Sequence, residues 1–322
     1  MSTPGFRWSA GIVLLGILPG AASPTPVLPR PDHVVIVIEE NRSLSSIIGN
    51  ESAPYINSLA PRGALFTNFH ALVHPSQANY LVLFSGSAHG VTNDVAPPAG
   101  SPYASPNLAT GLFGVGRSFA GYSEDLPFAG FTGVSHGHYE RPHNPWVNFS
   151  NVPVSSNVPF WDFPSPDRFD ALPTISIVIP NLLHDMHSGS TSTGDAWLRA
   201  NLDAYIQWAA THNSLFILTW DESNQVDSNH IPTLFVGPMV KAGQYDQSLN
   251  HLHLLRTLED VYGLAYAGDS ANVAPITNVW VESAADDPSP SASEKNSSNK
   301  CGALGVGALL LALLAGRLLR RN

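Results

Sequence analysis

Between residues 31 and 281, short unbroken apolar runs alternate with segments whose apolar residues recur every three to four positions. Four runs, HVVIVI (33–38), TISIVI (174–179), SLFILTW (214–220) and PTLFVG (232–237), are rich in Val, Ile, Leu and Phe and lack polar alternation. That pattern predicts strands buried on both faces, as in the middle of a parallel sheet. Helical spacing predicts helices at about 54–61, 77–86, 195–211 and 250–262. In the third, Trp197, Leu198, Leu202, Tyr205 and Trp208 share the periodic face, and Asp195 stands where an N-cap would. Residues 90–172 are dense in Gly, Pro and aromatic residues and read as long loops with short elements. No internal repeat is present. The expected architecture is α/β, a largely parallel central sheet flanked by helices.

Both ends break this pattern. Residues 1–22 carry Arg7, an apolar run from Ala10 to Leu18 and then Gly20-Ala21-Ala22, the anatomy of a signal peptide. Prolines at 19, 24, 26 and 29 argue against a buried N-terminal helix. The catalytic body is expected at 31–281. Residues 282–300 have the composition of a disordered linker. Residues 301–322 form an apolar run closed by Arg317, Arg320 and Arg321, short for a spanning helix but placed as a membrane or sorting tail with the body outside. The expected location is exported, either anchored at the cell surface or released after tail processing. Cys301 is the single cysteine, so no intramolecular disulfide forms, and its place at the head of the tail suits processing or lipidation.

Charge narrows the chemistry. The formal net charge of −10, with charged residues at 12%, leaves no basic stripe for nucleic acid. An anionic substrate then needs a local positive site, such as a metal ion or clustered His and Arg.

The ends of the strands supply such a site. The first run stops at Glu39-Glu40-Asn41, the second leads to Asp185 and His187, and the third stops at Asp221-Glu222. In open α/β sheets ligands bind beyond the carboxyl ends of the strands. Any one of these pairs could be a solvated strand end, but carboxylates converging from three distant segments call for a cation. Oxygen donors of this kind suit a divalent Mg, Ca, Mn, Fe or Zn ion. Ser76 follows Pro75 at the start of a predicted helix, where the dipole favours a phosphate or a developing negative charge. It reads either as a simple N-cap or as a nucleophile that a metal could activate without a His base.

Six segments, IVIEENRS, HPSQANYLVLFSG, YERPHNPWVNFSNV, DMHSGSTSTGDAWL, LFILTWDES and NHLHLLRTLEDVYGL, occur in this order in the phosphoesterase family of the alkaline phosphatase superfamily, which the chain resembles over residues 32–281. The resemblance implies an alkaline phosphatase-like fold and an acid phosphatase-type phosphomonoesterase. Its substrates would be phosphomonoesters, with phosphoinositides and other lipid phosphates among them. Glu40, Asn41, Ser76, Asp221 and Glu222 match the metal ligands, and Ser76 matches the nucleophile of a phosphoserine mechanism. His187 and His143 match proton donors, and Asn79, Asp185 (behind His187), Arg141 and His251 match substrate-contacting positions. Pro142 stands where a Lys is frequent, which leaves Arg141 as the substitute cation. Glu39, one residue earlier on an alternating strand, is expected to face away. The other histidines are expected to be structural, His74 and His230 being nearest the site. A phospholipase C-type phosphodiesterase and an inactive surface-binding module are the competing readings.

Overall fold

A computed structural model describes Met1 and residues 28–224 and 228–281; the expected signal segment, linker and tail lie outside the described residues. Eight strands form the main sheet: His33–Glu39 (β1), Ala64–Phe66 (β2), Phe119–Ser123 (β3), Asn157–Pro159 (β4), Ile175–Ile179 (β5), Ser214–Trp220 (β6), Thr233–Val236 (β7) and Gly243–Tyr245 (β8). Their order across the sheet is β8-β2-β7-β6-β1-β5-β3-β4. The centre is parallel: β1 pairs with β5 on one side and β6 on the other, and β3 and β4 continue in the same direction. All of β5 and β6, and β1 beyond His33, are buried, which explains why these three runs lack alternation.

One strand departs from expectation. β7 runs antiparallel to both β6 and β2. It is buried throughout, so its composition matches that of the parallel strands at the centre of the sheet, and an apolar run carries no signal for direction.

The principal helices are Pro54–Leu59 (α1), Ser76–Ser85 (α2), Leu108–Gly114 (α3), Thr191–Ala209 (α4) and His251–Tyr262 (α5). α1 packs on α4, while α2, α3 and α5 pack together. Every residue of α2 is buried, as expected of a helix enclosed on all sides. Among the described residues no helix is long and apolar enough to cross a membrane.

Asp195 does not cap its own helix. Ser190 is the N-cap of α4, its hydroxyl accepting from the Thr193 amide. Asp195, one turn in, reaches across to α1, where its two oxygens accept from the amides of Tyr55 (3.1 Å) and Ile56 (2.8 Å). α1 has no side-chain cap of its own, so one buried carboxylate serves first-turn amides of a neighbouring helix that have no partner within it. Asp195→Ala is therefore expected to cost about 1–3 kcal/mol, read as a lower urea midpoint at unchanged m-value.

Candidate active site

The site forms where β6, β1 and β5 end side by side. Backbone bonds set the register beyond the last strand residues: the Asp221 amide donates to the Glu39 carbonyl (3.0 Å), and the Glu40 amide donates to the Asp185 carbonyl (2.7 Å). Glu40, Asp221 and Asp185 are thereby brought to one sheet edge from distant segments. Asn41 turns the chain with φ of 52°, a left-handed conformation that Asn tolerates better than most residues. In that pose its backbone amide donates to Asp221 Oδ1 (3.2 Å) and its Nδ2 to Glu40 Oε2 (3.1 Å).

Ser76 is the first residue of α2 and is buried. Its hydroxyl donates to Glu40 Oε2 at 3.1 Å. The helix N-terminus is less open than expected, because the Gln77 amide is taken by Asp94 Oδ1 (2.9 Å) and the Ala78 amide by the Pro75 carbonyl. The other Glu40 oxygen, Oε1, accepts from the Tyr80 hydroxyl (2.6 Å) and lies 3.2 Å from His143 Nε2. The far nitrogen of His143 lies 3.5 Å from Asp185 Oδ2. Beside His143, Asn144 is held by the Ser123 hydroxyl at the end of β3.

Four carboxylates meet here with no Lys or Arg salt bridge to any of them among the described residues. Burial, followed by the charges of Asp221 and Asp185, holds the Glu40 carboxyl well above its usual range, against the Tyr80 hydrogen bond. Burial and then Glu222 push Asp221 up to about 7, opposed by the Ser76 hydroxyl and His143. Burial and then Asp94 push Glu222 up to about 7. For His143, burial alone would lower the pKa; the hydrogen bond and charge of Asp185, with Asp221 and Asp94, outweigh it and raise it. Asp221 Oδ2 is buried without a hydrogen-bond partner, and Asp185 Oδ2, also buried, has only the long 3.5 Å contact with His143 Nδ1.

This donor set fits a divalent cation. Unpaired buried carboxylate oxygens are costly unless a proton or a metal neutralises them. Glu40, His143 and Asp185 offer ligand atoms within 4.8 Å of one another, and Asn41, Ser76 and Asp221 hydrogen-bond into the same cluster.

Glu222 stands slightly apart, bonded to His74 Nδ1 (2.9 Å) and to Asn79 Nδ2 (3.5 Å). His187 is exposed, its ring 6.0 Å from that of His143. Asp185 lies behind His143 rather than behind the His187 ring: its Oδ1 accepts from the His187 backbone amide (2.7 Å). Glu39 is fully buried with neither oxygen hydrogen-bonded; burial, then the charge of Asp185 followed by Glu124 and Asp195, holds its carboxyl well above the usual range, against Arg42.

Three expected substrate contacts are engaged elsewhere. Asn79 is buried, with Oδ1 accepting from the Leu72 and Val73 amides and Nδ2 donating to the Val73 carbonyl. That bonding fixes the turn before Ser76 and leaves little for a phosphate. The Arg141 guanidinium donates to Asn148 and to the carbonyls of Thr132 and Val147, and so braces a loop. His251 is buried, its Nε2–H donating to the Trp220 carbonyl (2.9 Å), and burial lowers its pKa to about 4. It is neutral at ordinary pH and offers no charge to an anion.

Tyr80 and Asp94 were not among the expected site residues. Tyr80 lies inside a run that reads as helix core, and its i, i+4 relation to Ser76 was the available signal. Asp94 lies in the loop-rich segment, where spacing carries no information.

The sequence profile of the Phosphoesterase family matches residues 49–265. The chain is 49% identical over 266 residues to the phosphatidylinositol-3-phosphatase of Mycobacterium tuberculosis, covering 83% of this chain and 88% of that protein. It is 27% identical over 277 residues to a probable acid phosphatase of Kluyveromyces lactis, covering 77% of this chain and 64% of that one. It spans about half the length of the acid phosphatases of Penicillium chrysogenum and Aspergillus fumigatus. In solved structures, its fold resembles that of an alkaline phosphatase superfamily protein from Vibrio parahaemolyticus (TM-score 0.53, 16% identity, 74% of this chain and 68% of that chain). It also resembles the C-terminal periplasmic domain of EcEptC from Escherichia coli in complex with Zn (TM-score 0.50, 10% identity, 80% and 96%). With its α/β fold and the extent of these matches, the chain belongs to the phosphoesterase family.

Proposed function

We propose that the chain is a metal-dependent phosphomonoesterase of the acid phosphatase type, with Ser76 as nucleophile. The observation that carries this reading is the contact of the Ser76 hydroxyl with Glu40 inside a cluster of buried carboxylates that, among the described residues, has no Lys or Arg salt bridge. The phosphatase names of the related proteins support the same activity.

Glu40, Asn41, Ser76, Asp221 and Glu222 would hold the cation, which when bound neutralises phosphate oxygens and lowers the cost of the Ser76 alkoxide. Ser76 then attacks the phosphorus in line with the ester oxygen, giving a phosphoserine that water hydrolyses. Glu40 Oε2 is placed to accept the hydroxyl proton. His187, exposed beside His143, is placed to protonate the leaving alkoxide. His143, buried between Glu40 and Asp185, fixes the charge distribution behind it. Asn79 and His74 orient Glu222.

Two finer points belong to the same reading. The 49% identical relative is named for a phosphoinositide substrate, and Leu72, Val73 and Val95 are exposed on the segments bonded to Asn79 and Gln77. An apolar rim of this kind suits a lipid phosphomonoester better than a free sugar phosphate. The signal-like N-terminus supports export.

The test is an assay of the full-length protein on p-nitrophenyl phosphate and on its bis-ester, before and after chelation and after readdition of divalent ions. Monoester hydrolysis should exceed diester hydrolysis, fall by at least about 100-fold on chelation and return with metal. Monoester hydrolysis indifferent to chelator would overturn metal dependence. Faster diester hydrolysis would favour the phospholipase-type alternative.

A further inference from the structure

We propose that Tyr80 is a positioning residue that sets two groups of the site at once: its hydroxyl fixes the Glu40 carboxylate for the divalent ion, and its ring fixes the plane of the His143 imidazole. This rests on the metal-dependent reading above.

Ser76 and Tyr80 are four residues apart on α2, so they project from one helix face. From that face they clasp Glu40: Ser76 donates to Oε2 at 3.1 Å and Tyr80 to Oε1 at 2.6 Å. A short bond from a phenol to a carboxylate is among the stronger and more directional of neutral-donor contacts. Oε1 is shared with His143 Nε2, and the Tyr80 ring lies on the His143 ring with centroids 5.2 Å apart and planes 12° apart. The ring therefore limits imidazole tilt, while Glu40 and Asp185 anchor the two nitrogens. Tyr80 has almost no freedom to move away, being 1% exposed in a helix buried along its whole length. Groups that hold a metal's ligands from behind typically change affinity by about 10–100-fold when removed.

Two variants separate the hydroxyl from the ring. Tyr80→Phe keeps the stack and removes the donor; Tyr80→Leu removes both. For Tyr80→Phe, calorimetric titration with Mn2+ should show affinity weakened by about 10–100-fold, with kcat at saturating metal falling less than affinity does. Tyr80→Leu should match that loss of affinity and lose kcat further. Its His143 ring resonance, assigned against His143→Asn, should lose the ring-current shift that Tyr80→Phe retains. Unchanged Mn2+ affinity in Tyr80→Phe would overturn the role of the hydroxyl. Identical His143 resonances in wild type and Tyr80→Leu would overturn the role of the ring. A lowered melting temperature in both variants with neither signature would mark Tyr80 as core packing only. Failure of the wild-type protein to bind any divalent ion would sink the metal reading and the hydroxyl's role with it, while the resonance comparison would still decide the ring.

Discussion

Ser76→Ala is expected to lower kcat for phosphomonoesters by at least about 10^3-fold while the protein remains folded and still takes up a divalent ion. Removing a nucleophile leaves only binding and electrostatic assistance to water, which accounts for a small part of the rate. The hydroxyl also donates to Glu40, so its loss leaves Oε2 with Asn41 as its remaining donor. That should weaken metal retention modestly and does not remove the carboxylates that carry the affinity. A rapid-quench experiment with phosphate-labelled substrate supplies the second readout. The wild type should trap label on the chain under acid quench, and the variant should not. Near-normal turnover in the variant would dismiss Ser76 as nucleophile even if chelation still abolished activity.

The metal-stripped protein is expected to be more stable near pH 6 than near pH 8, and added divalent ion should stabilise it more at the higher pH. Asp221 has a folded pKa of about 7 against an ordinary 3.8. Between those values the folded state holds a proton that the unfolded state has released. Its contribution is thus fully present below about pH 4 and is lost as pH rises through about 7. Three units correspond to about 4 kcal/mol as an upper bound. Glu40 and Glu222 are raised in the same direction. His251 opposes them on the acid side. Held near 4 against an ordinary 6.5, it costs stability as pH falls below 6.5, which offsets part of the carboxyl contribution over that range and leaves the loss above pH 6.5 unopposed by it. A bound divalent ion would replace the protons on the carboxylates, which would make its binding pH-dependent. Melting temperatures in chelator and in excess divalent ion across pH 5–8 would show the two curves separating with increasing pH. Parallel curves would mean that the carboxylates do not hold the ion.

The sheet's middle was readable because β1, β5 and β6 are long, apolar and buried on both faces. Glu40, Asn41, Asp221 and Glu222 stood out because polar residues interrupt those runs at their ends. The edges of the sheet were not readable for a physical reason. β2, β4 and β8 have three residues each, too few to display a period. β3 reads FAGYS, and Gly121 breaks its apolar run because the Trp146 ring occupies the place of a side chain: a Cβ there would lie 2.1 Å from that ring. Asp195 followed the local rule for a cap, but the amides it satisfies lie about 140 residues away in sequence. Asn79, Arg141 and His251 stand in the right segments, yet their bonding partners come from loops and strand carbonyls that no spacing rule could anticipate.

The bonds that close the site span the chain unevenly: Ser76 reaches back 36 residues to Glu40, and the Asn41 amide reaches forward 180 residues to Asp221. A partly folded chain therefore cannot assemble the ligand set, and an ion that requires all of it would bind only after β1 and β6 have paired. Such an ion adds nothing to early collapse and acts on the lifetime of the finished protein. At a free concentration 100 times its dissociation constant it would add about 2.7 kcal/mol. Metal supply would then set how long the chain survives a protease, independently of whether any substrate is present.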